Sequence, residues 1–509
     1  MRLMASAEQS APVTEAVTDT LPQAVVDCLL DSALEPVLDA AVQRGGTAAK
    51  RRKNAGDDAE VARALLAVTV CDPACGSGSL LIAAARRIAR RVAEAREGNQ
   101  SPDALRLAAD VPGMTPPFLD GRIRPGNALI GASPDLIESG IPDEAFRAAE
   151  GDDRWHARSL RRANARPDPG QATLFSAQGG YSHSNEALAK SLAKVGRLPG
   201  GASADDRRQA ADYREWRDSA DFRAKRLVAD AWCAAFAWAK TPDAPPAIVN
   251  RTLLDLRERG AEGIAPETRA EIDRLRGEYL FFHWSLEFPD VFRVSEGGET
   301  RWRGGFSCVL SAPPQEKIDR RGQSVAFRFA TGSGAYPECA AGRAEPGVSA
   351  LRTDQLFTER VLTILAPEGR AGCAVAPGIA AAPGARHLLG GLMRRGMLAS
   401  LYDFTGPGAR HCLLTFAGGA ARGGAPRFAF RLDSPAELVD GGRSFTLTPG
   451  EAALINPNTG GWKRRSPVPP LTRGCSALSR NCVAMAGSWR EAPLPATAST
   501  CSRSMSPRW

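Results

Sequence analysis

The stretch from Leu65 to Gly78 restricts the possible folds more than any other part of the chain. An apolar, β-branched run, Leu65 to Val70, ends at Cys71-Asp72 and passes through Pro73-Ala74-Cys75-Gly76-Ser77-Gly78. Apolar residues then recur at helical spacing from Leu80 to Ala95. That order predicts strand, tight turn, helix. Glycines at 76 and 78 permit backbone conformations that a Cβ forbids, and the start of the helix offers unpaired N–H groups, so a nucleotide-type ligand fits such a turn. The spacing is not the dinucleotide fingerprint, because Leu81 stands where a third glycine belongs.

Asp72-Pro73-Ala74-Cys75-Gly76-Ser77-Gly78 is far more specific than a bare Gly-x-Gly. It resembles the first motif of S-adenosylmethionine-dependent DNA methyltransferases that modify adenine N6, in the large restriction-modification family. Further segments carry the resemblance. Phe118 to Gly131 is similar to the family's third motif, in which the residue at Asn127 sits near the adenine of the cofactor. Phe281-Phe282-His283-Trp284-Ser285-Leu286-Glu287-Phe288-Pro289-Asp290-Val291-Phe292 matches the segment before the catalytic motif, and Gly305 to Ile318 reads as a short strand entering a double-proline turn. His283 reads as a packed member of the aromatic cluster, since N6 methylation requires no base there.

In the resembled enzymes the double-proline turn is Asn-Pro-Pro followed by an aromatic residue. The adenine must leave the DNA stack, its amino group held by acceptors so that the nitrogen lone pair faces the sulfonium methyl. The asparagine carbonyl and a proline carbonyl supply those acceptors, and the aromatic ring stacks on the base. Here the turn reads Ala312-Pro313-Pro314-Gln315. Ala312 has no side-chain acceptor, and Gln315 has no stacking face. Losses of this kind cost on the order of 100-fold in rate, with stacking alone worth about 1–3 kcal/mol.

The resemblance implies an α/β fold, a Rossmann-like class I S-adenosylmethionine-dependent methyltransferase core with helical insertions. It implies S-adenosylmethionine as cofactor, held by Asp72 to Gly78 and approached by Asn127, and double-stranded DNA and restriction-modification subunits as partners. A Tyr-Thr-Pro-type motif of the family is reduced to Thr20-Leu21-Pro22, of which only the proline is kept. A second strand ending in an acid that holds the ribose hydroxyls is expected after the first helix. Residues 99–122 contain no such run, so about one βα unit is absent by this reading. The large target-recognition region of the family is also missing downstream, which leaves base-edge readout without a home. Two readings follow: a site-specific adenine methyltransferase of impaired activity, or a catalytically silent remnant or binding subunit of a modification system.

Charge does not decide between them. The net charge is +8, yet from Gly460 onward there are eight Lys or Arg against Glu491 alone, so the rest of the chain is nearly neutral. The eleven cysteines show no CxxC pair and no zinc pattern, which points to reduced thiols in a cytoplasm and to no metal site. No run of about 18 apolar residues suggests a membrane span.

The remaining chain divides as follows. Residues 1–20 read as disordered, and 21–60 as an N-terminal helical segment, with Val25 to Val42 forming one helix or a bent pair. Residues 61–135 form the cofactor-binding half, 136–278 a helical and loop insertion, and 279–459 the catalytic half. Residues 460–509 form a basic tail, either a flexible arm or an out-of-frame extension of a truncated gene. Along the helix after the glycine turn, Leu81, Ala84, Ile88 and Val92 trace the buried face while Arg86, Arg87, Arg90 and Arg91 lie off it as a solvated face. In the insertion, Tyr213, Trp216, Phe222, Trp232, Phe236 and Trp238 read as an aromatic-stapled core rather than as a base-stacking surface.

Overall fold

The computed structural model describes residues 21–51, 57–97, 121–164, 182–195, 203–296, 300–319, 324–404, 411–419, 425–438, 443–448 and 450–451. The expectations for the N-terminal 20 residues, for a missing βα unit and for the basic tail lie outside them. Among the described residues the strands are, in chain order, β1 Val70–Cys71, β2 Phe292–Arg293, β3 Arg303–Gly304, β4 Phe306–Ser311, β5 Lys317–Asp319, β6 Ala350–Arg352, β7 Leu365–Val375, β8 Leu398–Phe404, β9 His411–Ala417, β10 Arg427–Leu432 and β11 Phe445–Thr446.

Seven of these form one sheet in the order β1-β4-β7-β9-β8-β10-β11. β1, β4 and β7 pair in parallel, as do β8 and β10, whereas β9 is antiparallel to both its neighbours and β11 is antiparallel at one edge. The fold is thus mixed α/β around a mostly parallel sheet. The pairs β2–β3 and β5–β6 are separate ribbons. Among the described residues, β1 is the other edge.

Both faces of the sheet are covered, which explains why its strands read as nearly continuous apolar runs. On β4 the side chains alternate between two cores. Cys308 and Leu310 point into one, where they meet Val25, Leu29, Leu30, Leu34, Leu38, Leu80 and Ala84, while Val309 points into the other. The first core is built by the helices α1 (Gln23–Ala33), α2 (Glu35–Arg51), α3 (Asp57–Leu66) and α4 (Ser79–Glu97). The expected bent pair is α1 and α2, with Leu34 between them. α1 lies so close to β7 that a Cβ at Gly372 would stand 2.8 Å from Leu29 and 3.0 Å from Ala33, so any larger residue there would push on α1.

Two readings are corrected. The buried face of α4 begins at Leu80 rather than Leu81, and Ile82 is exposed. Arg87 and Arg91 are not simply solvated: Arg87 bonds Asp31 at 2.7 Å and Glu35 at 2.8 Å, and Arg91 bonds Glu35 at 3.2 Å and Asp39 at 2.5 Å, which ties α4 to α1 and α2. The aromatic residues of the insertion are core, as read. Tyr213, Trp216, Phe222, Trp232, Phe236 and Trp238 are all buried, on the helices Ser203–Asp218 and Ala220–Ala237 or just past the latter, with Ser219 capping the second helix.

Candidate functional site

The turn after β1 has the geometry its sequence requires. Gly76 and Gly78 take φ of +49° and +78°, in the left-handed region, and a Cβ at Gly78 would meet nothing within 4 Å. The glycines therefore serve the backbone conformation and leave open space beside the chain. The Gly78 N–H donates to the Cys75 carbonyl at 2.6 Å, and the Gly78 carbonyl accepts the Ile82 N–H as α4 begins. The N–H groups of Ser79, Leu80 and Leu81, which precede that first helical bond, have no partner within α4.

Asp72 leaves the carboxyl end of β1. Its Oδ1 accepts the Ala74 N–H at 2.9 Å, which closes the turn. Burial pushes the Asp72 carboxyl up to about 7, against the pull of that N–H. Burial also raises the neighbouring Cys71 thiol, and Cys308 to about 12, so these are inert packing groups. The eight described cysteines form no disulfide.

A carboxyl held near 7 in the fold and near 3.9 when unfolded stabilises fully only below the lower value, and that contribution is lost as pH rises through the higher one. Asp72→Asn keeps an acceptor for Ala74 without the charge. Urea denaturation of this variant is expected to show stability equal to wild type near pH 4 and greater by on the order of 1–3 kcal/mol at pH 8, a range discounted for partial solvent access.

The second motif arrives beside the first. In the parallel register Val70 faces Cys308 and Cys71 faces Val309, so β4 continues to Ser311 and enters Ala312-Pro313-Pro314-Gln315 at the same edge of the sheet. Neighbouring strands lie about 4.8 Å apart. The carboxyl edge is where open α/β sheets bind ligands. Pro313 is buried, Ala312 is partly buried, and Pro314 and Gln315 are exposed.

The helix Thr353–Ile364 fixes this turn. It is buried on nearly all sides, and several of its polar groups are engaged. Thr353 Oγ1 donates to the Pro314 carbonyl at 2.5 Å and accepts the Glu316 N–H at 2.9 Å. Arg352 donates to the Gln315 carbonyl at 3.3 Å. Asp354 accepts the Ala376 N–H at 3.0 Å, just past β7, and Glu359 accepts the N–H groups of Glu338 and Cys339 at 2.7 and 2.8 Å. Arg360 donates to the Tyr336 hydroxyl at 2.8 Å, which in turn donates to the Leu129 carbonyl at 2.6 Å. Among the described residues no donor is bonded to the Pro313 carbonyl. The Thr353-Asp354-Gln355 cluster heading an apolar helix was the available sequence signal for these positioning groups.

Asn127 sits in the loop that packs on the 281–288 segment. Its N–H donates to the Leu280 carbonyl at 2.7 Å, and its own Oδ1 accepts the Leu129 N–H at 3.1 Å, leaving the amide NH₂ as its remaining donor. A Cβ at Gly131 would fall 1.8 Å from the Phe282 carbonyl oxygen, so the two segments meet backbone to backbone. His283 is structural, as read. Its Nδ1 accepts the Ala132 N–H at 3.1 Å, which makes Nε2 the donor to Asp230 at 2.9 Å. No hydrogen bond joins Asn127 to the 72–78 turn among the described residues.

Arg124 anchors the same loop. Its guanidinium lies 4.4 Å from the Phe288 ring centre, 5.4 Å from Tyr213 and 5.8 Å from Trp216, and 3.3 Å from Glu287, which also takes Arg217 at 2.8 Å.

Several solved structures with partial likeness concern methyl transfer or restriction-modification. A Streptococcus thermophilus type I restriction-modification methyltransferase subunit shares 11% identity over 64% of this chain and 95% of its own, with a TM-score of 0.24. A modification subunit assigned to a type I restriction enzyme of Vibrio vulnificus shares 13% over 78% and 84%, with a TM-score of 0.17. A protein assigned as a class I S-adenosylmethionine-dependent methyltransferase of Listeria monocytogenes shares 13% over 38% and 50%, also at 0.17. The chain thus spans half of that last protein, and 43% of a chain from a type I restriction-modification complex. No protein-family model and no curated protein matches the sequence. At such low superposition these likenesses carry no weight for the assignment, which rests on the chain's own residues. Among the described residues no helix is long and apolar enough to cross a membrane, and no cluster of three His, Cys, Asp or Glu is placed to hold a metal ion.

Proposed function

We propose that this chain is an S-adenosylmethionine-binding protein on the Rossmann-like scaffold of an adenine-N6 DNA methyltransferase of the restriction-modification type, with methyl transfer weakened at the base-holding turn. One observation carries the reading: β1 and β4 are parallel neighbours, so the Asp72–Gly78 and Ala312–Gln315 turns leave one edge of the sheet side by side.

The first turn fits the cofactor. Gly76 and Gly78 leave room for close approach, the start of α4 presents N–H groups, and Asp72 offers a carboxylate. When bound, S-adenosylmethionine supplies an electrophilic methyl group on a positively charged sulfur. The chain's own part is to hold the adenine amino group in line with it. The Pro313 carbonyl accepts one amine hydrogen; the second acceptor is lost with Ala312, and the stacking ring with Gln315. Transfer is therefore reduced by on the order of 100-fold or more. The same two residues favour a second reading, a non-catalytic cofactor- and DNA-binding subunit of a modification system.

Calorimetric titration with S-adenosylmethionine tests the shared core of both readings. Micromolar binding that Asp72→Ala abolishes is the expected result. A folded sample that binds no cofactor overturns it.

A further inference from the structure

The helix Arg154–Ala163, Arg-Trp-His-Ala-Arg-Ser-Leu-Arg-Arg-Ala, lies in the insertion and takes no part in the site above. Ala157 is buried and Leu160 packs against the core, which fixes the inner face. At 100° per residue the opposite face carries Trp155, Arg158, Ser159 and Arg162, with Arg154 beside them. Trp155 is 75% exposed, the most exposed large apolar side chain among the described residues. The helix contains four arginines and no acid. Arg161 bonds Asp143 at 3.0 Å, whereas Arg154, Arg158 and Arg162 have no carboxylate partner among the described residues.

The helix is also held firmly. Asp153 spends its side chain on the His156 N–H at 2.6 Å, and its own N–H donates to the Lys240 carbonyl at 3.0 Å. At the other end Asn164 is buried. It donates to the Ile141 carbonyl at 2.8 Å and accepts the Asn250 N–H at 3.1 Å. A rigid helix presenting an indole between unpaired guanidinium groups matches a polyanion with exposed flat rings. An intact duplex offers the phosphates but keeps its rings stacked; a single strand offers both.

We propose that Arg154–Ala163 docks single-stranded DNA, with Trp155 stacked on a base and Arg154, Arg158 and Arg162 against the backbone phosphates. The choice of DNA rests on the function proposed above; the surface itself does not. A strand bound there is one that has been opened, as base extraction from a duplex demands.

Fluorescence anisotropy with a labelled single strand of about 20 nucleotides tests it on the full chain. Trp155→Ala is expected to weaken binding on the order of tenfold with no change in salt slope, and Trp155→Phe to restore most of the loss. The triple variant Arg154→Gln, Arg158→Gln, Arg162→Gln is expected to lower the slope of log K against log salt by about 2, given about 0.7 per phosphate on single strands. Unchanged thermal melting of the variants shows that the fold is intact. Equal affinity and slope in all variants, preference for the matching duplex, or binding to phosphatidylserine vesicles but not to DNA would each overturn the proposal. Calorimetry with S-adenosylmethionine on the same samples separates the two readings. Cofactor binding without strand binding removes this surface alone, and strand binding lost in the variants without cofactor binding removes the methyltransferase reading alone.

Discussion

On the function proposed above, Ala312→Asn combined with Gln315→Tyr is expected to raise methyl transfer from S-adenosylmethionine to adenine in DNA by at least about 100-fold over the natural chain. The asparagine restores a side-chain acceptor for the amino group beside the Pro313 carbonyl. The tyrosine restores a ring for the extracted base. Gln315 is exposed and held through its carbonyl by Arg352, which leaves room for a ring, and the turn is anchored independently by Thr353 on the Pro314 carbonyl. Radiolabelled methyl transfer to plasmid DNA is the measurement. A double variant that binds cofactor yet transfers no methyl would place the lesion elsewhere.

Glu287→Ala is expected to destabilise the fold by about 3–5 kcal/mol, because it strips the counter-charge from buried arginine. The Arg124 side chain is 2% exposed, and Glu287 lies between it and Arg217 within an aromatic enclosure of Tyr213, Trp216 and Phe288. Water cannot reach Arg124 to compensate. Removing both Glu287 and Arg124, by Glu287→Leu with Arg124→Met, is expected to recover much of the loss. The urea midpoints of wild type and the two variants decide this, and a midpoint for Glu287→Ala close to that of wild type would show that the pair is dispensable.

What the sequence disclosed and what it hid divide along a physical line. The glycine turn and the helix to Glu97 were legible because each signal is local, two glycines at positive φ and then apolar residues at helical spacing, whereas the Leu65 to Val70 run was misread as strand throughout: Leu65 and Leu66 close α3, and the strand is Val70–Cys71 alone. The short strand entering the double-proline turn, β4, was legible for the same local reason. The partners of buried polar groups were not. Arg87 and Arg91 looked solvated because their carboxylates lie 52 to 56 residues upstream on other helices. Thr353 and Arg360 carry no local sign of their partners, since Arg360 reaches toward Leu129, 231 positions away. β10 was passed over although Phe428, Phe430 and Leu432 alternate along it; its short length and flanking glycines weakened the pattern.

β9 sits between β7 and β8 although it follows both in the chain. A ribosome delivers β7 and β8 before the strand that joins them, so during synthesis each shows an open hydrogen-bonding edge. The sheet closes only when His411–Ala417 has emerged and inserted antiparallel between its two neighbours. Until then the growing chain is a sheet in two pieces with sticky margins, the condition under which nascent proteins aggregate or call on chaperones. Any shortening of the gene upstream of that strand would leave the interval permanent, so the last-arriving centre of the sheet, rather than its ligand turns, sets how much of this chain can be lost before it ceases to fold.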